Sequence, residues 1–261
     1  MDKRILLLSF IIFVFGSIIS FAVIFGQEAT GADKNKQKTL DNDPRLAGWW
    51  KFDETSGKTV ADSSGHDRDG TLNKDLSFDK DSTQGKTGKA LKFGDDDGHV
   101  EITKYKGVTG THARTVAAWI KTRISEGQII SWGTEDYGRM WIFGFIRGRI
   151  GVTPDGGYLY MKDEIHDDNW HHVAAVVEEA ELPNLYDNVK LYKDGVPAVI
   201  HDIGLLDLWP IDTGSELDVR IGLGFKGLID DVRVYERALS EQEILALFKL
   251  QSNRPLAKPE K

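Results

Sequence analysis

The chain has 261 residues, 40% of them hydrophobic, with 41 Asp and Glu against 33 Lys and Arg, a formal charge of -8, 27 Gly and no Cys. This apolar content excludes a disordered chain, and glycine without a three-residue period excludes a collagen-like rod. Lack of cysteine removes disulfides, thiolate metal sites and a cysteine nucleophile, while the acidic balance has the wrong sign for a nucleic-acid partner.

Ile5 to Phe25 form 21 consecutive uncharged positions behind Lys3 and Arg4, long enough to cross ~30 Å of hydrocarbon as a helix. Residues 1–26 are therefore expected to be a retained anchor or a signal peptide. Length favours the anchor, and the small residues Ala29-Thr30-Gly31-Ala32 permit cleavage. Either way the rest of the chain is expected outside the cytoplasm, membrane-anchored or secreted. Residues 27–45 hold almost no apolar side chain and read as a polar linker. The folded unit is expected over residues 46–250, with a flexible tail at 251–261.

From Leu46 onward, short apolar runs are broken by Gly, Asp and Asn, which predicts antiparallel β structure. Strands are expected at 47–52, 90–93, 99–102, 115–121, 128–132, 140–146, 149–152, 171–177, 188–193, 218–221 and 227–235. Asp194-Gly195 supplies the positive φ angles of a hairpin turn, and Pro154-Asp155-Gly156-Gly157 reads as a second turn. Ser240-Glu241-Gln242-Glu243 forms a capping box, with Leu239 placed to staple on Ile244, so a short helix should follow. A lone terminal helix on a β chain must lie across a sheet or close an edge.

Six segments in order carry a resemblance: GWWKFDETSGKTVADSSGHDRDGTL (48–72), GKALKFGDDDGHVEI (88–102), RTVAAWIKT (114–122), WHHVAAVV (170–177), VKLYKDGVP (189–197) and FKGLIDDVRVYERALSEQEI (225–244). Together they resemble the laminin G-like, concanavalin A-like jelly-roll family. The resemblance implies an all-β, two-sheet antiparallel jelly-roll sandwich with one short C-terminal helix. It further implies secretion or surface display, a carbohydrate or glycoprotein ligand, and often one structural calcium ion.

Enzymatic chemistry finds little support. The related glucanases carry Glu-x-Asp-x-x-Glu on one strand, so that carboxylates two residues apart share a face. Here Glu164-Ile165-His166-Asp167-Asp168 misses that spacing by one position. Gln84-Gly85-Lys86-Thr87 mimics the end of a phosphate loop, but a strand follows where a helix is needed, so it reads as a turn. His171 and His172 face opposite sides of a strand and cannot chelate one ion.

Asp230 shares strand parity with Leu228, Val232 and Val234, which places it on the apolar face, where an Arg, a Lys or a cation must meet it. The stretch Asp62-Ser63-Ser64-Gly65-His66-Asp67-Arg68-Asp69-Gly70 offers oxygens around glycines, the setting hard cations prefer. The resemblance implies that these stretches meet at calcium, with Asp62, Asp69 and Asp230 as ligands and backbone oxygens from Gly65 or His66. The alternative is a solvated acidic turn beside a buried Asp–Arg pair. Asp95-Asp96-Asp97-Gly98 fails the EF-hand template, which would need ligands at Phe93 and Lys104, and reads as a hydrated turn. For stacking sugars the candidates are Tyr137, Tyr158, Tyr160 and Trp209. The expected function is non-catalytic recognition of carbohydrate or glycoprotein. The alternative is a structural or adhesive domain with a protein partner.

Overall fold

A computed structural model describes residues 39–94, 98–203 and 209–252. The expected anchor or signal peptide, most of the polar linker, the Asp95–Asp97 run and residues 253–261 lie outside them. Among the described residues no helix is long and apolar enough to cross a membrane.

Two antiparallel sheets face one another. The first runs in the order β14 (Val196–Pro197), β13 (Val189–Lys193), β12 (His171–Val177), β7 (Arg114–Lys121), β17 (Gly227–Tyr235), β5 (Lys89–Phe93), β4 (Ser82–Gln84), and β1 (Leu46–Trp50) also pairs with β17. The second runs β15 (Ile200–Ile203), β11 (Leu159–Met161), β10 (Arg149–Thr153), β9 (Met140–Ile146), β8 (Gln128–Gly133), β16 (Leu217–Ile221), β6 (Val100–Ile102), β3 (Gly70–Leu72), β2 (Thr59–Val60). Helices α1 (Phe78–Asp81), α2 (Leu185–Asn188) and α3 (Glu241–Ser252) accompany them.

The inner faces meet in a core that includes Trp50, Phe93, Ile120, Trp132, Trp141, Phe143, Val173 and Val234. A second core lies on the outer face of the first sheet. There Leu40, Leu46, Trp49, Ala117, Tyr192 and Tyr235 pack against Leu239, Ile244 and Leu247 of the C-terminal segment. Strand β7 is accordingly buried along nearly its whole length, Ala118 and Ile120 towards one core and Ala117 towards the other, which is why it reads as a continuous apolar run. The capping box forms as expected: Ser240 N–H donates to Glu243 Oε2 at 2.8 Å and Glu243 N–H to Ser240 Oγ at 3.3 Å.

Two expectations change. The folded unit begins before Leu46: Leu40 is buried, Asp41 Oδ1 lies 2.5 Å from Arg233 Nη1, and Asp43 takes Arg237 Nη2 at 2.6 Å. The end of the polar linker therefore belongs to the sandwich, because its acids neutralise two arginines of the C-terminal region. The second change concerns Asp230. Asp230 pairs with Trp119 and Arg233 with Ala117, so β17 carries an extra residue, and Asp231 takes a left-handed φ of 51°. Ile229, Val232 and Val234 face the inter-sheet core. Asp230 instead shares the outer face with its cross-strand partner Trp119. The bulge stands where one edge of β17 passes from β5, paired through Ile229, to β1, paired from Val232 onward.

Candidate ligand-binding face and cation pocket

The early acidic loop folds around Asp62. Its Oδ1 accepts Trp49 N–H (3.0 Å) and Ser64 N–H (2.9 Å), and its Oδ2 accepts Ser64 Oγ–H (2.8 Å) and Arg68 N–H (3.1 Å). Burial pushes this carboxyl up, but those hydrogen bonds outweigh it and hold Asp62 below the usual range. Asp69 accepts Asp62 N–H at 2.7 Å, and Ser64 Oγ meets His66 Nδ1 at 3.1 Å. With four donors on Asp62, its lone pairs are spent on the turn, and Gly65 supplies a φ of 86° within it. Among the described residues no three His, Asp or Glu side chains gather where an ion could sit. The structure thus holds Asp62, His66 and Asp69 in one turn without converging their side chains on an ion, and binds Asp230 to the Lys86–Thr87 amides instead, so the expected ligand set does not fit calcium.

Asp230 is wholly buried. Its Oδ2 accepts the amides of Lys86 (2.8 Å) and Thr87 (2.9 Å), while its Oδ1 has no partner among the described residues. Burial, then the neighbouring Asp231, push the carboxyl well above the ordinary range, against the pull of those two amides. The Gly85–Gly88 turn joining β4 to β5 wraps this acid closely: a Cβ on Gly85 would stand 2.7 Å from Asp230 Oδ2, and one on Gly88 would strike Asp53 Oδ1. Asp53 accepts Lys89 N–H at 2.9 Å and adds its charge to the pocket. Neither arginine nor lysine offsets Asp230, because Lys86 Nζ lies over the Trp119 ring and Arg233 is engaged by Asp231 and Asp41. A buried carboxylate oxygen without a partner, in the field of a second carboxylate, suits a hard cation completed by backbone oxygens. Sequence reasoning passed over Asp53, although Gly85-Lys86-Thr87-Gly88 carried the signal of a tight turn.

Of the aromatic candidates, Tyr137 is 66% and Trp209 52% exposed. They flank Gly138: a Cβ there would stand 2.6 Å from Trp209 Cδ1, and the Tyr137 ring lies against Gly156. Gly138 N–H donates to Asp155 O (2.7 Å) and Asp212 N–H to Gly138 O (2.9 Å), which ties three loops into one end of the sandwich. Of the other two candidates, Tyr160 is buried and Tyr158 half-buried, so neither offers a bare ring. Trp132 belongs to the core.

From the middle of the second sheet towards the end opposite Tyr137 and Trp209 lies an open groove of about 640 Å³, lined by Ile142, Ile146, Thr153, Gln128, His99 and Lys74 among others. Beside it, one outward row crosses six strands through the register Thr71–Glu101–Arg220–Ser131–Ile142–Thr153. Its inward neighbours, such as Val100, Ile102, Val219 and Ile221, fill the core. The outer face of this sheet is therefore exposed at Thr71 and Glu101 and partly exposed at Arg220, Ile142 and Thr153, with exposed rings at one end.

The family model described as the concanavalin A-like lectin/glucanases superfamily matches residues 93–245. The chain belongs to that superfamily. Among solved structures, this superfamily member is similar to domain 4 of a GH43 extracellular arabinanase from Geobacillus stearothermophilus, in complex with arabinotriose. That likeness has a TM-score of 0.57 at 21% identity and covers 78% of this chain and 98% of that one. It is also similar to a Trypanosoma rangeli sialidase in complex with 2,3-difluorosialic acid, with a TM-score of 0.52 at 15% identity, covering 85% of this chain but 38% of the sialidase. Both likenesses concern the fold. No curated protein matches the chain.

Proposed function

We propose that the chain is an exported, non-catalytic recognition domain that binds carbohydrate through the loop end and outer face of its second sheet. One observation carries this reading: two exposed aromatic rings, Tyr137 and Trp209, flank Gly138 beside a partly exposed outer face. Rings so placed accept the C–H face of a sugar, while Glu101, Arg220 and Thr153 of the outward row offer hydrogen bonds to its hydroxyls. The apolar segment 1–26 supports export, with the domain anchored or released.

The acids of this face speak for binding rather than hydrolysis. A glycosidase needs a carboxyl held protonated near neutral pH. Burial acts upward on Asp218, but Lys106, at 2.8 Å, and the Lys104 amide outweigh it and hold that carboxyl low. The carboxyl that is pushed far up, Asp230, lies on the other sheet. We assign it, with Asp53, to a structural calcium ion completed by backbone and solvent oxygens. When bound, the ion would neutralise both acids and tie β17 to the Gly85–Gly88 turn.

A glycan array probed with the full chain, followed by calorimetry, tests the proposal. A hit whose affinity falls roughly tenfold, about 1.4 kcal/mol, in Trp209→Ala or Tyr137→Ala is expected. Silence across the array would overturn it. A protein partner is the second reading. It is favoured by Leu182 and Tyr186, each 64% exposed on a segment bound to the Trp209 loop through Ile211 N–H to Pro183 O (2.6 Å). Recovery of a protein from envelope extracts, lost in Leu182→Ser but kept in Trp209→Ala, would favour it.

A further inference from the structure

Tyr158 and Tyr160 belong to a stack of four groups on the outer face of the second sheet. The Arg147 guanidinium lies 4.4 Å from the Tyr158 ring centre, Tyr158 stacks on Tyr160 at 5.5 Å and 26°, and Tyr160 leans on His201 at 5.6 Å. The rings are spent on one another, and the group the stack presents to solvent at the Tyr158 end is the exposed Arg147. Arg147 sits in the two-residue hairpin between β9 and β10, with φ of 50° followed by 80° at Gly148, so its backbone is held by the Ile146–Arg149 pair. Its neighbour Arg149 is consumed by Glu164 Oε1 (3.0 Å) and Lys162 O. Arg147 makes no ion pair among the described residues.

A guanidinium over an aromatic ring has N–H donors to spare for a carboxylate, which a planar fork can meet with two parallel hydrogen bonds. Contact with the Tyr158 ring restricts the side chain before a ligand arrives, which lowers the rotamer freedom lost on binding. With a net charge of -8 the protein exerts no general attraction on polyanions, so an acidic ligand must be held by a local site. We infer that the Arg147 end of this stack is a subsite for the carboxylate of an acidic, uronate-type saccharide. This rests on the carbohydrate reading and names its ligand class. Arg147 lies beyond one end of β9 and Tyr137 beyond the other, about 20 Å away for a seven-residue strand, so the two contacts can be lost independently.

The full chain is titrated with trigalacturonate, with its neutral methyl ester, and with acetate as competitor. The acid should bind at least about tenfold tighter than the ester. Arg147→Gln should erase that ratio while leaving ester binding intact, and Arg147→Lys, which keeps the charge without the fork, should restore only part of it. Equal binding of acid and ester, an unchanged ratio in Arg147→Gln, or displacement by acetate at matched concentration would overturn the subsite. Ester binding that disappears in Trp209→Ala shows the carbohydrate reading standing even where the acid preference fails. Absence of binding by both trisaccharides overturns the subsite, and the glycan array then decides the broader reading.

Discussion

Asp230 and Asp62 are both buried or half-buried acids near glycine turns, yet their hydrogen bonds give them opposite chemistry. Asp62 accepts four donors and stays ionised, so Asp62→Ala should cost about 1–3 kcal/mol by orphaning three amides. That variant should keep the calcium response of the wild type in a melting experiment. Asp230 has one oxygen without a donor among the described residues. If the cation reading holds, EDTA lowers the melting temperature of the wild type by several degrees, because an ion bound to the folded state adds roughly 2.7 kcal/mol at a hundred times its Kd. Asp230→Asn should abolish that response and, under EDTA, equal or exceed the wild type in stability, since an amide avoids the buried charge. A wild type indifferent to EDTA would remove the ion. His172 gives a pH test of its own. Burial, opposed by Asp231 and Asp194, lowers it to about 4. The unfolded chain therefore binds the extra proton first, and stability present above pH ~6.5 is lost as pH falls towards 4, by up to about 3 kcal/mol. His172→Phe, which keeps the contacts with Trp119 and Phe248, should flatten that slope.

Among elements, β17 does the most. Its bulge lets one strand pair with β7 along one edge and with β5 and then β1 along the other, and it turns Asp230 out of the core while Val232 and Val234 stay in it. Simple alternation predicts the wrong face here, because a single inserted residue reverses parity and is invisible in composition. The segment 39–45 is a second case: it is polar in sequence but acts as a strap across the outer face of the first sheet. Arg233 is 1% exposed, with Asp41 at 2.5 Å and Asp231 at 3.4 Å. A chain starting at Leu46 should therefore melt lower than one starting at Thr39, by a loss approaching the ~3–5 kcal/mol of a broken buried pair. Equal melting would show the strap to be dispensable. The ends of β9, β12 and β17 agree with the strands expected from periodicity, whereas β2, β3, β4 and β11 lie outside the expected strands, being only 2 or 3 residues long and too short to show a period.

For the whole molecule, the two sheets divide their work. The first is covered on both faces, by the inter-sheet core and by the helix with the N-terminal strap. The second keeps its outer face open to solvent at Thr71 and Glu101 and partly open at Arg220, Ile142 and Thr153. A sandwich built this way presents ligands to one side only. Hydrogen exchange with bound saccharide should thus protect amides around residues 134–139 and 154–158, and leave β12 and β13 unchanged. Protection confined to the first sheet would place the ligand elsewhere.

The pattern of short apolar runs, the Asp194-Gly195 turn and the capping box at Ser240 determined the all-β architecture and its terminal helix without coordinates, because each depends on neighbours within a few residues. The exposed positions of Tyr137 and Trp209 were legible for the same reason, being set by local turn chemistry. Tertiary structure alone decided which acids meet. Asp53 and Asp230 are 177 positions apart in the chain and converge only because a bulge and a glycine turn face one another. It likewise decided that Tyr158 and Tyr160 stack beneath Arg147, since ring-to-ring contact across strands depends on register and lean, which no run of residues states.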